Sequence, residues 1–238
     1  MAGEIAERLS RVRERMEAAA RRAGRDPSAV RLLAVSKLVP AERVVEAAEA
    51  GQTLFGENRF QGSAEKLARV RELRGADAPP LQWHFIGHLQ SNKVRKVLQT
   101  FDCVQSLDSL DLIRRVEHVA ADLGITARGL LQVNCSGAPT QYGFPPEKLE
   151  EAAETAARCP HLRIEGLMAI GPNTTDEKVI RAAFRDVRRR AEELAQRGFD
   201  GVTMETLSLG MSGDFEPAIE EGSTLVRIGT AIFGPRER

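Results

Sequence analysis

The chain has 238 residues, 42% apolar and 29% charged, a balance that allows a sizeable core and excludes wholesale disorder. Its 34 Lys and Arg are matched by 34 Asp and Glu. No global charge therefore draws it to nucleic acid or to an anionic membrane, and any phosphate it binds must be held locally. No apolar stretch approaches the ~20 residues of a membrane span. The segment from Met1 to Arg25 is dense in Arg and Glu rather than built on an apolar signal core, so a cytoplasmic protein is expected. Cys103, Cys135 and Cys159 are odd in number and widely spaced; a disulfide framework and a structural zinc site are disfavoured, and reduced thiols with no metal are expected.

Length alone permits one barrel or two small domains. From Glu4 to Arg22, Ile5, Leu9, Val12 and Met16 recur at the three-to-four spacing of an amphipathic helix that ends near Gly24. After Asp26 and Pro27 the pattern becomes an alternation of short apolar runs and longer stretches of helical period. The runs are Val30 to Val35, Thr53 to Phe55, Gln82 to Ile86, Cys103 to Ser106, Gly129 to Val133, Leu162 to Ala169, Thr203 to Ser208 and Thr224 to Ile228. Helical period appears over Ala41 to Ala50, Ser63 to Leu73, Leu110 to Leu123, Pro146 to Arg158, Asp176 to Arg197 and Glu216 to Glu221. Strands and helices in strict alternation close most simply as a single (β/α)8 (TIM) barrel with an extra N-terminal helix, one α/β domain over 1–238. An open doubly wound sheet is the alternative, but it usually carries a Gly-rich turn after its first strand, and here Ser36, Lys37 and Leu38 follow instead.

In such a barrel the working groups project from the C-terminal strand ends. That nominates Lys37; Glu57 and Asn58; Gly87 and His88; Asn134 to Ser136; Gly171; Ser208 to Gly213; and Arg227 to Thr230. Lys37 closes an apolar strand where an ammonium is poorly solvated, which favours the neutral amine needed to attack an aldehyde. A lysine emerging into solvent at a strand end is the alternative for that residue taken alone. The loops after the seventh and eighth runs are where barrels often seat phosphate, and Ser208 to Asp214 with Arg227 to Thr230 offer glycines, hydroxyls and amides for it. Chain-reversing turns would explain either loop singly. Together, an amine and an anion cradle suit an aldehyde phosphate; a barrel binding some other phosphate stays open.

Several blocks carry a resemblance. Leu33 to Lys37, Phe55 to Asn58, Trp83 to Lys93, Gly166 to Ile170, Leu207 to Asp214 and Gly222 to Gly234 look like the signature blocks of the YggS/PROSC family of pyridoxal phosphate homeostasis proteins. That family is similar in fold to the N-terminal barrel domain of alanine racemase, the fold type III class of pyridoxal 5′-phosphate (PLP) proteins. The resemblance implies that Lys37 carries PLP as a Schiff base, that Ser212, Gly229 and Thr230 hold its phosphate, and that Arg227 faces the pyridine nitrogen. It also places Asn58, Met211 and Ser208 in the pocket. It implies a PLP carrier or regulator of vitamin B6 and amino-acid pools, working as a monomer, with PLP-dependent apoenzymes as partners and no established reaction or catalytic residue. Two positions depart from the family pattern: Gln141 stands where a loop lysine is usual, and Leu38 replaces a small polar residue, a change expected to matter little.

A low-activity racemase or lyase is the competing function. Arginine keeps its proton, so Arg227 opposite the pyridine nitrogen weakens the ring as an electron sink. The β-domain that supplies alanine racemase with a tyrosine base is not expected in this chain, and its only tyrosine, Tyr142, reads as a partly exposed loop aromatic. His84 and His88 are four apart, but Gly87 between them breaks the helical geometry of a metal pair. Asn92 to Lys96 reads as a solvated helix start, and Arg185, Arg188, Arg189 and Arg190 as part of a charged outer face.

Overall fold

The computed structural model describes residues 3–235. Eight parallel strands close into a barrel in sequence order: β1 (Arg31–Val35), β2 (Leu54–Glu57), β3 (Gln82–Phe85), β4 (Cys103–Leu107), β5 (Ala127–Val133), β6 (Leu162–Ala169), β7 (Val202–Ser208) and β8 (Leu225–Ile228). Closure comes from β8 on β1, in register from Arg31 opposite Leu225 to Ala34 opposite Ile228. The helices are α1 (Glu4–Arg22), α2 (Ala41–Glu49), α3 (Ser63–Arg74), α4 (Val94–Leu98), α5 (Leu110–Leu123), α6 (Leu149–Ala157), α7 (Glu177–Arg197), α8 (Phe215–Glu220) and α9 (Thr230–Phe233). None of them is long and apolar enough to cross a membrane.

The barrel and its extra N-terminal helix are as expected, with three differences of detail. Glu57, expected just past the second strand, is its last residue, because its backbone still pairs with β3: it stands opposite Phe85, and its carbonyl accepts from Ile86 N at 2.8 Å. The helix expected from Pro146 begins as a 3-10 turn, Pro146–Lys148, since proline at the first position sets the entry but α6 proper starts at Leu149. Helices α4 and α9 span one turn each, too few residues to show a period.

Side chains alternate across the sheet as strand geometry requires. Leu32, Ala34, Phe55, Val226 and Ile228 join the shell between strands and helices. Their neighbours Leu33, Val35, Leu54 and Leu225 form a separate cluster inside the barrel, and Cys103, Leu130 and Met168 form another. Between the two inner clusters lie polar side chains, His84, Gln105, Ser208 and Arg227, all buried. Helix α1 presents Ile5, Leu9, Val12, Met16, Ala19 and Ala20 as a buried stripe and lies against α8 and α9. Arg15 stacks on the Phe215 ring at 4.7 Å and bonds Glu216 at 3.1 Å; Arg25 donates to the Ser223 carbonyl at 2.8 Å. In this way α1 braces the last two βα units, whose loops the sequence nominates for phosphate.

Candidate active-site mouth

Lys37 follows β1 at the C-terminal end of the barrel, on the inward parity of Leu33 and Val35. A tight turn carries it: Val39 N donates to the Ser36 carbonyl at 2.9 Å. Leu38, at the turn's tip, has φ +62° and 72% exposure, the left-handed region that a non-glycine residue rarely adopts. Ser36 is pinned from the β2 side. Its N–H donates to the Gly56 carbonyl at 3.0 Å, its hydroxyl to Glu57 Oε1 at 2.6 Å, and its carbonyl accepts from Lys66 Nζ at 2.8 Å. Lys66 also pairs with Glu57 Oε1 at 2.5 Å, the two side chains 14% and 4% exposed. Lys37, Glu57, Asn58, Ser63 and Lys66 line a cleft of about 190 Å³. Asn58 is fixed by its backbone: a Cβ on Gly87 would stand 1.9 Å from the Asn58 carbonyl oxygen, so only glycine lets the β2 and β3 loops meet there.

From the other side of the seam, Gly229 sits against β1. A Cβ placed on it would be 3.1 Å from the Val35 carbonyl oxygen and 3.4 Å from the Val35 Cβ. The Lys37 turn and the Gly229 amide therefore share one mouth. Thr230 opens α9 and is exposed. The loop after β7 folds back over the same end: Leu209 N donates to the Leu225 carbonyl, Arg227 N to the Gly210 carbonyl, each at 3.0 Å, and Met211 N to Asp214 Oδ1 at 2.6 Å. Burial pushes the Asp214 carboxyl up, opposed by the Met211 amide and by Arg227. Ser212 is half-buried and Met211 39% exposed beside it.

Arg227 and Ser208 lie below the loops, inside the barrel. The Arg227 guanidinium donates through Nη1 to the Ser208 carbonyl and to Ser208 Oγ at 2.7 Å, and through Nη2 to the Ala169 carbonyl at 2.8 Å. Burial pulls its pKa down to about 10, with Asp214 and Cys135 opposing, so it stays a cation near neutral pH. Ser208 Oγ donates onward to Gln105 Oε1 at 2.6 Å, and Gln105 Nε2 meets His84 Nδ1 at 2.7 Å. Burial, with Arg31 and Arg128 adding to it, pushes His84 down to about 3.

The remaining nominated residues occupy the rim. His88 Nδ1 is 3.0 Å from Asp108 Oδ2, and its ring stacks on Tyr142 with centroids 3.8 Å apart and planes at 11°. Asn134 ties the β5 loop by donating to the carbonyls of Ala138 and Gln141; Gln141 in turn donates to the Ile170 carbonyl at 3.0 Å. His84, four residues before His88, is inside the barrel and not on the rim. Among the described residues no group of three His, Cys, Asp or Glu could hold a metal ion. Sequence reasoning passed over Gln105, Lys66 and Asp108. A glutamine inside the apolar run Cys103 to Ser106 was a readable signal for the first; Lys66 looks like any helix lysine until α3 is docked on β2.

The model for the alanine racemase N-terminal domain matches residues 8–237. The pyridoxal phosphate homeostasis protein of Vibrio cholerae is 41% identical over 233 residues, covering 98% of this chain and 97% of that one. The protein of the same name from Escherichia coli K12 is 42% identical over 234 residues, with 98% and 97% covered. Among solved structures, PipY of Synechococcus elongatus with PLP bound is 38% identical and superposes with a TM-score of 0.82, covering 97% of this chain and all of that one.

Proposed function

Since the chain belongs to the family of pyridoxal phosphate homeostasis proteins, built on the alanine racemase N-terminal barrel, we propose that it holds PLP as a Schiff base on Lys37 and acts in PLP and amino-acid homeostasis. The observation that carries this reading is the shared mouth: the Lys37 turn and the Gly229 amide flank the β1–β8 seam. The residues fit the cofactor by their chemistry. A primary amine suits the aldehyde carbon. The close-packed Gly229, with the hydroxyls of Ser212 and Thr230, suits a phosphate dianion, because small residues admit it to backbone and hydroxyl donors. A cation that only donates, Arg227, suits an unprotonated pyridine nitrogen. Asn58, Ser208 and Met211 would border the ring.

Bound PLP supplies an electrophilic carbon and a ring able to delocalise charge. Arg227 limits the second property by keeping the ring nitrogen unprotonated, which favours holding the cofactor over carbanion chemistry. On the same reading a single domain works as a cytoplasmic monomer that exchanges PLP with PLP-dependent apoenzymes. The test is borohydride reduction of the PLP-loaded protein followed by intact mass and peptide mapping. One adduct is expected on Lys37, and Lys37→Ala is expected to lose it while keeping weaker, phosphate-anchored binding. A full-strength reducible adduct in Lys37→Ala would overturn the assignment.

A further inference from the structure

The polar belt inside the barrel joins two residues of the proposed binding site, Ser208 and Arg227, to two buried side chains that the site does not itself use, Gln105 and His84. Gln105 and Ser208 are 0% exposed, Arg227 4% and His84 7%. They come from four strands, β3, β4, β7 and β8, and Ala169 of β6 accepts at the end. We propose that Gln105, backed by His84, is the positioning residue that fixes Ser208 and Arg227 for the cofactor ring. The proposal rests on the reading of Arg227 as the residue that faces the pyridine nitrogen.

The order of donors and acceptors carries it. Arginine can only donate, so Ser208 Oγ, which receives Nη1 at 2.7 Å, must send its own proton elsewhere. Gln105 Oε1 takes it at 2.6 Å. That leaves the Gln105 amide as a donor toward His84 Nδ1 at 2.7 Å, which must then be bare, with the histidine proton on Nε2 and the ring neutral. Each bond polarises the next in the same sense, and only one arrangement satisfies all four groups. A flipped Gln105 would turn an NH2 toward Ser208 Oγ, which already accepts from Arg227, and would strand the serine proton. Both terminal nitrogens of Arg227 are thereby anchored to the barrel wall, on β7 and β6, while the Asp214 carboxylate acts on the cation through its field. The charged groups acting on His84 are Arg31 of β1 and Arg128 of β5, each one strand beyond the immediate neighbours of β3; both oppose a second proton on the ring.

Gln105→Leu keeps most of the volume and removes both partners. In the PLP-loaded protein, the borohydride adduct of this variant is expected to map to Lys37 still. Its PLP dissociation constant is expected to rise about tenfold and its visible absorption maximum to shift from that of the unchanged protein. A purely structural glutamine would lower the melting temperature without moving the chromophore, so affinity and spectrum both like wild type overturn the proposal. Should Gln105→Leu fail to fold, 15N chemical shifts of the unchanged, PLP-free protein decide it. His84 is expected as the neutral Nε2–H tautomer throughout pH 5–8, and a proton on Nδ1 overturns the proposed order. No reducible adduct on Lys37 in the unchanged protein would instead remove the functional reading itself, whatever the tautomer.

Discussion

Leu38 is the only non-glycine residue among those described with a positive φ, and it adjoins the residue proposed to carry the cofactor. A leucine held in the left-handed region gives up roughly 1 kcal/mol, and at 72% exposure it recovers little of this by burial. The side chain is therefore not what the turn needs; the turn is imposed by Ser36, whose N–H, hydroxyl and carbonyl are all engaged. Strain of this kind is retained where the surrounding structure over-determines a conformation. Leu38→Gly relieves it, against the larger entropy of a glycine in the unfolded chain, and is expected to raise stability by about 0.5 kcal/mol. Urea unfolding of the PLP-free protein measures this as a higher midpoint at unchanged slope; a lower midpoint would mean that Leu38 makes contacts which outweigh its backbone. From the sequence, Leu38 was only a departure from the family pattern expected to matter little, because φ is not written in residue identity unless glycine or proline occupies the site.

At the scale of elements, β1, β2 and α3 are joined by one buried ion pair. Lys66 reaches from α3 to Glu57 on β2 and to the Ser36 carbonyl past β1, while the Ser36 and Ser63 hydroxyls also face the Glu57 carboxylate. Breaking a buried pair from one side is costly because the surviving charge stays desolvated. Lys66→Met should therefore destabilise the protein by about 3 kcal/mol. The double variant Glu57→Gln with Lys66→Met, which leaves no charge behind, should be less destabilised than the sum of the single changes by more than about 1 kcal/mol. Additive single effects in urea melts would show that the two groups do not act as a unit. The elements themselves were largely legible: the βα alternation is a local pattern, so all eight strands were found, with ends displaced by a residue or two where hydrogen bonding and not hydrophobicity sets the limit. Of helix α4 only the start, within Asn92 to Lys96, was read, and α9 was not read as a helix, since a single turn carries no period and forms only because the strands beside it are already placed.

The whole molecule adds what no segment contains. Ser208 and Gln105 are 103 residues apart and meet only because the barrel closes. The proposed anion cradle could be nominated from two Gly/Ser loops at set strand ends, and Lys37 as the proposed cofactor lysine from its place after an apolar run. The polar belt beneath them depends on register across strands, which composition does not encode. That belt also has a consequence for global stability. His84 is pushed down to about 3 in the folded chain by burial, then by Arg31 and Arg128, whereas an unfolded histidine titrates near 6.5. Between these values the unfolded chain holds a proton that the native protein does not, so stability rises with pH across the window. It is fully present above pH 6.5 and is lost progressively as the solution is acidified toward pH 3, by up to about 1.4 kcal/mol per pH unit from this one residue. The range from pH 5 to pH 6 is the useful place to look, because the ordinary values of aspartate and glutamate lie below it. His84→Asn keeps an acceptor for the Gln105 amide and removes the titration, so its unfolding free energy should slope less steeply there than that of the unchanged protein, by close to one proton. Parallel curves for the two proteins would mean that His84 already carries its charge inside the barrel, which the bare Nδ1 facing the Gln105 amide forbids.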